Sequence, residues 1–307
     1  MPHISMHQIR IFDSVARYQS HTQAAEKLHM TQPAVSMQMK KLEENIGVEL
    51  FERRGRSIML SKAGKELREY CTKIIYSYNN MLAFSEQVKG HEIGHLTISV
   101  ATTANQFSTR ILSAFSKKYP DVTISLDVTN RQRILQQLDN YEPDLVIMGE
   151  PPKGHGLISE QFMPNPLVII APPDHPFAKK KGLDITDIDN QKFVVREEGS
   201  GTRETIERIF KNAGITYNTT MEMSSNEAIK HSVAAGFGLG VVSLHTLELE
   251  LNNAHLVVLD VKGFPLERHW HVVTREGKAI SPVALSFKKF LLKEANQYTH
   301  HKGASKG

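Results

Sequence analysis

The chain has 307 residues, 40% hydrophobic and 23% charged, proportions that suit a globular protein of two or three domains and exclude a disordered or fibrous one. A single cysteine, Cys71, excludes an internal disulfide and any multi-cysteine metal site. The net charge of +4 is lopsided: residues 1–62 hold nine Lys or Arg against six Asp or Glu, the rest 28 against 27. Excess positive charge thus gathers at the amino end, as binding to a polyanion favours. The opening MPHISMHQIRIF lacks the apolar run of a secretory signal, and nowhere do 18 apolar residues follow one another, so a soluble, cytoplasmic chain with no membrane partner is expected.

Ile4, Ile9, Phe12, Val15 and Ala16 predict a first helix over residues 4–18. Residues 20–60 read as two short helices around a tight turn, then a basic hairpin. Thr31 is placed to cap the second of these helices, and Pro33 falls in its first turn, where a missing N–H costs nothing. Val35, Met39, Leu42 and Ile46 form one apolar stripe along it. Gln32, Ser36 and Lys40 share a face away from that stripe, offering amide, hydroxyl and ammonium groups of the kind that a DNA major groove accepts. Between Leu50-Phe51 and Ile58-Met59-Leu60, the run Glu52-Arg53-Arg54-Gly55-Arg56 predicts a two-stranded wing turning at Gly55, its arginines beside the phosphate backbone.

From Leu60 the pattern changes. Leu60, Ala63, Leu67, Tyr70, Ile74, Ser77, Met81, Phe84 and Val88 alternate three and four residues apart, a heptad seam that Ser61 can cap and Gly90 can end. A dimerising coiled coil is expected, in preference to a long amphipathic helix lying on its own domain. Cys71 falls inside this helix without a neighbouring base and reads as packing rather than a redox sensor.

The remainder alternates strand and helix. Strands are predicted at 96–100, 122–128, 144–148, 167–171, 193–195, 240–243, 256–261 and 270–274, and helices at 105–118, 131–140, 202–213, 226–235 and 281–297. Such alternation predicts parallel, doubly wound sheets. Pro164-Asn165-Pro166 and Gly263-Phe264-Pro265 mark two crossings between lobes, and a polar, frayed tail is expected from about Gln297.

Ligands settle at the carboxyl ends of strands in such sheets. That rule selects Thr102 and Thr103 after one strand, Asn130 and Arg131 after another, and Asn226 at a further strand-to-helix turn. Gly199-Ser200-Gly201-Thr202 opens a helix after a strand, an arrangement suited to an anion, with Arg203 adding a full charge and Glu204 and Glu207 opposing.

Several motifs resemble the LysR-type transcriptional regulators. They are Ala24-Ala25, Leu28, Thr31-Gln32-Pro33-Ala34-Val35-Ser36, Leu42-Glu43, Gly47, Leu50-Phe51 and the stretch from Arg53 to Gly64. Val100 to Asn105, Met148 to Pro152, Ala171 to Pro176, Val195 to Arg203, Met221 to Met223 with Ser225 to Lys230, and Ser243 to Thr246 resemble the narrower CbbR group, regulators of Calvin-cycle operons.

The resemblance implies an α/β multi-domain chain. An N-terminal winged helix-turn-helix (1–60) leads through a linker helix (61–90) to a two-lobed, periplasmic-binding-protein-like effector domain (91–307). Lobe I would span about 91–162 and 269–297, and lobe II about 163–268.

It also implies double-stranded promoter DNA as partner, homodimers or homotetramers, changed access for RNA polymerase, and a phosphorylated metabolite or NADPH as effector. Family precedent maps DNA contacts onto Gln32, Pro33, Ser36 and Met37, beside Thr31, Lys40, Arg53, Arg54 and Arg56. Many relatives carry a polar residue where this chain has Met37, which can only make an apolar contact, as to a thymine methyl.

Fifteen dispersed histidines and the lack of nucleophile-elbow, phosphate-loop or zinc motifs argue against an enzyme, and no cofactor or metal is implied. A secreted solute-binding protein would explain the lobes alone but not the amino-terminal module.

Overall fold

A computed structural model describes residues 3–54, 57–88, 94–278 and 280–298. The chain divides into two compact units, Met1–His91 with Gly277–Ile280, and Glu92–Glu276 with Ser281–Gly307.

The first unit runs α1 (Met6–Tyr18), α2 (His21–Leu28), α3 (Gln32–Ile46), β1 (Phe51–Arg54), β2 (Ser57–Leu60) and α4 (Lys62–Val88). Ser5 caps α1 in a reciprocal box with Gln8, and Ser20 caps α2 through the Gln23 N–H. Thr31 takes the cap position of α3, but its side chain makes no cap hydrogen bond, contrary to the expectation from sequence.

Packing replaces the cap. Val35, Met39 and Leu42 are buried against Phe12, Val15, Ala24 and Leu50. Each such side chain contributes roughly 1.5–3 kcal/mol, against about 1 kcal/mol for a good cap. The stripe therefore fixes α3.

β1 and β2 pair antiparallel, setting Arg53 opposite Ile58 and Arg54 opposite Ser57. The turn residues Gly55 and Arg56 lie outside the described residues. A β-carbon on Gly64 would meet the Leu50 carbonyl oxygen at 2.0 Å, so the first turn of α4 can sit this close to the wing only as glycine. Ser61 completes the junction: its hydroxyl donates to the Glu49 carbonyl at 2.8 Å and accepts from the Gly64 N–H at 3.0 Å.

Along α4, Leu67, Cys71 and Ile75 pack against the winged-helix core. Tyr70, Ile74, Met81 and Phe84 are exposed within this single chain, although each is large and apolar. Gly90, the expected stop, lies outside the described residues.

The second unit continues with β3 (Gly94–Ala101), α5 (Asn105–Lys118), β4 (Val122–Thr129), α6 (Arg131–Asp139), β5 (Leu145–Met148), β6 (Leu157–Pro164) and β7 (Leu167–Ala171). It then runs β8 (Lys192–Arg196), α7 (Gly201–Asn212), β9 (Asn218–Met223), α8 (Asn226–Ala234), β10 (Leu239–Ser243), α9 (Glu248–Asn252), β11 (Val257–Val258), β12 (His269–Arg275) and α10 (Pro282–Glu294).

One lobe holds the sheet β4-β3-β5-β12-β6 and the other β11-β7-β10-β8-β9. The sheets are mixed, which corrects the expectation of purely parallel ones. β3 runs parallel to β4 and β5, while β12 runs against β5 and β6; β8 runs parallel to β9 and β10, while β7 runs against β10 and β11. The antiparallel members are the strands that adjoin the crossings.

These crossings lie side by side: the Asn165 N–H donates to the Arg268 carbonyl at 2.6 Å, and Leu167 bridges Leu266. The second crossing is therefore at residues 267–268. Gly263-Phe264-Pro265 remains within its lobe, because Leu266 is still bonded to Leu167.

Two strands, β6 and β9, were not expected. Most of their residues are exposed or half-buried, so the apolar run that marks a central strand is missing. The strand expected at 256–261 shrinks to β11, and the last helix ends at Glu294 in a 3-10 turn, Ala295–Tyr298. β7 shows what a central strand looks like here: all five residues are buried, Leu167, Ile169 and Ala171 in one cluster and Val168 and Ile170 in another.

Candidate DNA-reading face and effector cleft

On α3, Gln32, Pro33, Met37 and Lys40 are exposed and Ser36 is half-buried. The Gln32 amide donates to the Ser36 hydroxyl at 2.8 Å. The pair is thereby ordered before any ligand arrives, with the Gln32 carbonyl left to accept and the Ser36 proton to donate. Lys40 sits 3.9 Å from Glu44 in an exposed pair that holds it weakly. Met37, 62% exposed, is a large apolar side chain on the polar face. Thr31 is exposed at the amino end of the helix.

In the second unit, the cleft lies at the carboxyl ends of β3, β4 and β8. Thr102, Thr103, Asn130, Arg131, Ser200 and Thr202 line it together, as their positions after those strands predict. Four hydrogen-bonding side chains that also line it were not expected from sequence: Asn165 and Arg268 on the crossings, Trp270 on β12 and Arg196 at the end of β8.

Glycines let the lobes approach. A β-carbon on Gly199, whose φ is +78°, would meet the Gln132 side chain at 2.6 Å, and one on Gly201 would meet Arg131 at 3.1 Å. The Gln132 N–H donates to the Gly199 carbonyl at 3.2 Å across the same gap.

The cleft is short of negative charge. Burial, then the neighbouring Arg131 and Arg208, push the Arg268 guanidinium down to about 10, and Glu150 and Glu204 only partly oppose this. Among the described residues the Arg268 side chain makes one hydrogen bond, a long one of 3.5 Å to the Gly201 carbonyl. Arg131 lies 3.3 Å from Glu204. Trp270 is 1% exposed, and its indole N–H has no acceptor among the described residues. The Asn130 carbonyl caps α6 through the Arg133 N–H at 3.0 Å, leaving its amide N–H groups for the cleft.

Two expected residues stand apart from the cleft. Arg203 turns to the far side of α7, where Glu207 at 2.8 Å and then Glu222 raise its pKa and hold it. Asn226 is buried behind Arg196 and accepts from its guanidinium at 3.2 Å. Among the described residues no helix is long and apolar enough to cross a membrane, and no group of three His, Cys, Asp or Glu is placed to hold a metal.

Residues 6–65 match the bacterial regulatory helix-turn-helix protein, lysR family, and residues 89–296 match the LysR substrate binding domain. The chain belongs to the LysR family of transcriptional regulators. A RuBisCO operon transcriptional regulator of Allochromatium vinosum is 48% identical over 293 residues, 95% of this chain and 97% of that protein.

The CcmR regulatory domain of Synechocystis PCC6803, in complex with 2-PG, aligns with a TM-score of 0.64 at 39% identity, over 68% of this chain and 99% of that one. A full-length OxyR variant from Pseudomonas aeruginosa aligns with a TM-score of 0.75 at 21% identity, over 96% of this chain and 95% of that one, and shares the fold.

Within this LysR regulator the missed cleft residues left little trace in sequence. Arg268 lies on, and Trp270 just after, a crossing whose position depends on pairing between distant segments. Arg196 sits inside an apolar strand, where an arginine at the strand's end was the one available signal.

Proposed function

We propose that this LysR regulator controls a carbon-fixation operon and that a small phosphorylated anion, bound between the lobes of its second unit, alters its grip on promoter DNA. The similarity to a RuBisCO operon regulator over nearly the whole chain supports the target. The 2-PG (2-phosphoglycolate) bound to the related CcmR domain supports the ligand class.

The observation that carries the reading is the state of Arg268. Half-buried beside two more arginines and poorly neutralised, it gains the most from an anion. Thr102, Thr103, Asn130, Ser200, Thr202 and the unpartnered Trp270 indole supply neutral donors around it.

Gln32, Ser36 and Met37 read bases, Thr31, Pro33 and Lys40 flank them, and Arg53, Arg54 and Arg56 hold phosphates in this proposal. The exposed seam of α4 pairs two chains, and tetramers bridge successive half-sites in the cytoplasm, changing RNA polymerase access. The ligand acts through its difference in affinity between two arrangements of the assembly.

Trp270 is the one tryptophan of the chain and so reports on the cleft directly. Titration with 2-phosphoglycolate is expected to give a saturable fluorescence change that needs at least about tenfold more ligand in Arg268→Ala, the loss of a charge-assisted hydrogen bond. No response in fluorescence or calorimetry contradicts the ligand assignment.

A further inference from the structure

Arg196 ends β8 in one lobe, is 3% exposed, and reaches Thr102 in the other. Its Nη2 donates to the Thr102 hydroxyl oxygen at 2.8 Å. The guanidinium is held on its other sides as well. Nε and Nη2 donate to the two carboxylate oxygens of Glu197 at 2.8 and 2.9 Å, and Nη1 donates to Asn226 Oδ1 at 3.2 Å. Nη2 also reaches the Ser224 carbonyl at 3.4 Å. Two parallel bonds to one carboxylate fix both the plane and the direction of an arginine.

That pairing also neutralises Arg196, so attraction for an anion falls to Arg268 and Arg131 instead. What Arg196 contributes is orientation. A hydroxyl has one proton and two lone pairs. With a guanidinium N–H on a lone pair, the Thr102 proton is turned away from Arg196. Among the described residues that hydroxyl donates to no protein acceptor, and Thr102 lines the cleft.

We propose that Arg196 is a positioning residue which, by occupying one lone pair of the Thr102 hydroxyl, aims its proton into the cleft as a donor toward the effector. The cleft then favours ligands that place an acceptor oxygen, such as that of a phosphate dianion, at this point. Asn226 and Glu197 act in the same device, by holding Arg196. The inference deepens the reading of the cleft as an anion site and rests on it.

Calorimetric titration of the full chain with 2-phosphoglycolate tests it. Thr102→Ser keeps affinity within about twofold, and Thr102→Val loses about tenfold or more. Glu197→Gln, which breaks the clamp on Arg196, loses a comparable factor on its own but nothing further when combined with Thr102→Val, because Arg196 acts through that hydroxyl. Arg196→Lys, which keeps the charge and loses the planar fork, repeats the cycle should Glu197→Gln fail to fold.

Losses that multiply in the double variant indicate a general structural role and overturn the proposal. Unchanged affinity in Thr102→Val overturns it too, while leaving the anion site standing. Absence of binding by the unsubstituted chain overturns both.

Discussion

A β-carbon built on Gly149 would lie 2.5 Å from Nη2 of Arg268, so this guanidinium rests over the end of β5 only because residue 149 lacks a side chain. The clash falls on the far end of a flexible side chain. Gly149→Ala is therefore expected to move Arg268 rather than unfold the lobe. Affinity for 2-phosphoglycolate falls about tenfold, while the melting temperature stays within about 4 °C, the shift for roughly 1 kcal/mol in a domain of this size. Calorimetry and thermal melting check both halves. A large fall in stability would show that Arg268 cannot give way.

Glu204, 55% exposed at its side chain, competes with any bound anion for Arg131, whose Nε lies 3.3 Å away. Glu204→Gln is expected to raise affinity for 2-phosphoglycolate by about threefold at low salt, an advantage that fades as added salt screens the pair. Weaker binding by this variant would mean that the ion pair serves closure of the lobes instead.

Cys71 is buried where α4 packs on the winged-helix core, and desolvation, followed by the charge of Asp13, pushes its thiol up to about 12. The thiolate is the reactive form, and at pH 8 it makes up roughly one part in ten thousand. Native protein is expected to resist thiol reagents at pH 8, with full labelling only once guanidinium unfolds the first unit. Rapid labelling of folded protein would restore the redox-sensor reading.

Tyr70, Ile74, Met81 and Phe84 recur along one side of α4 and are exposed in the single chain. Substituting Ile74→Lys with Met81→Lys is expected to shift sedimentation toward smaller species and to weaken DNA binding, because two half-sites are no longer held by one assembly. A distribution identical to the unsubstituted chain would place the interface elsewhere.

What could be read in advance followed a physical division. Helices with a clear apolar stripe, such as α3 and α5, and fully buried strands, such as β7, announce themselves through periodicity. Edge strands β6 and β9 do not, because half-exposed residues carry no such pattern. The positions of Thr102 and Asn130 in the cleft were legible from the rule that ligands gather at strand ends, and that of Thr202 from the glycine turn that opens a helix.

Arg196 and Arg268 were not, since their meaning depends on which distant segments meet there. Arg203 misled for a related reason. Its charge is visible in sequence, but its commitment to Glu207 and Glu222 depends on side-chain direction on α7 and on the placement of β9.

Competition binding at about 0.15 M salt, between a duplex from upstream of the RuBisCO operon in the same genome and a scrambled duplex of equal length, tests the central claim. A preference of at least about a thousandfold for the promoter is expected, cut about tenfold by Ser36→Ala, with a footprint that 2-phosphoglycolate alters in the unsubstituted chain but not in Arg268→Ala. Equal affinity for the two duplexes, with a footprint indifferent to the ligand, would contradict that claim.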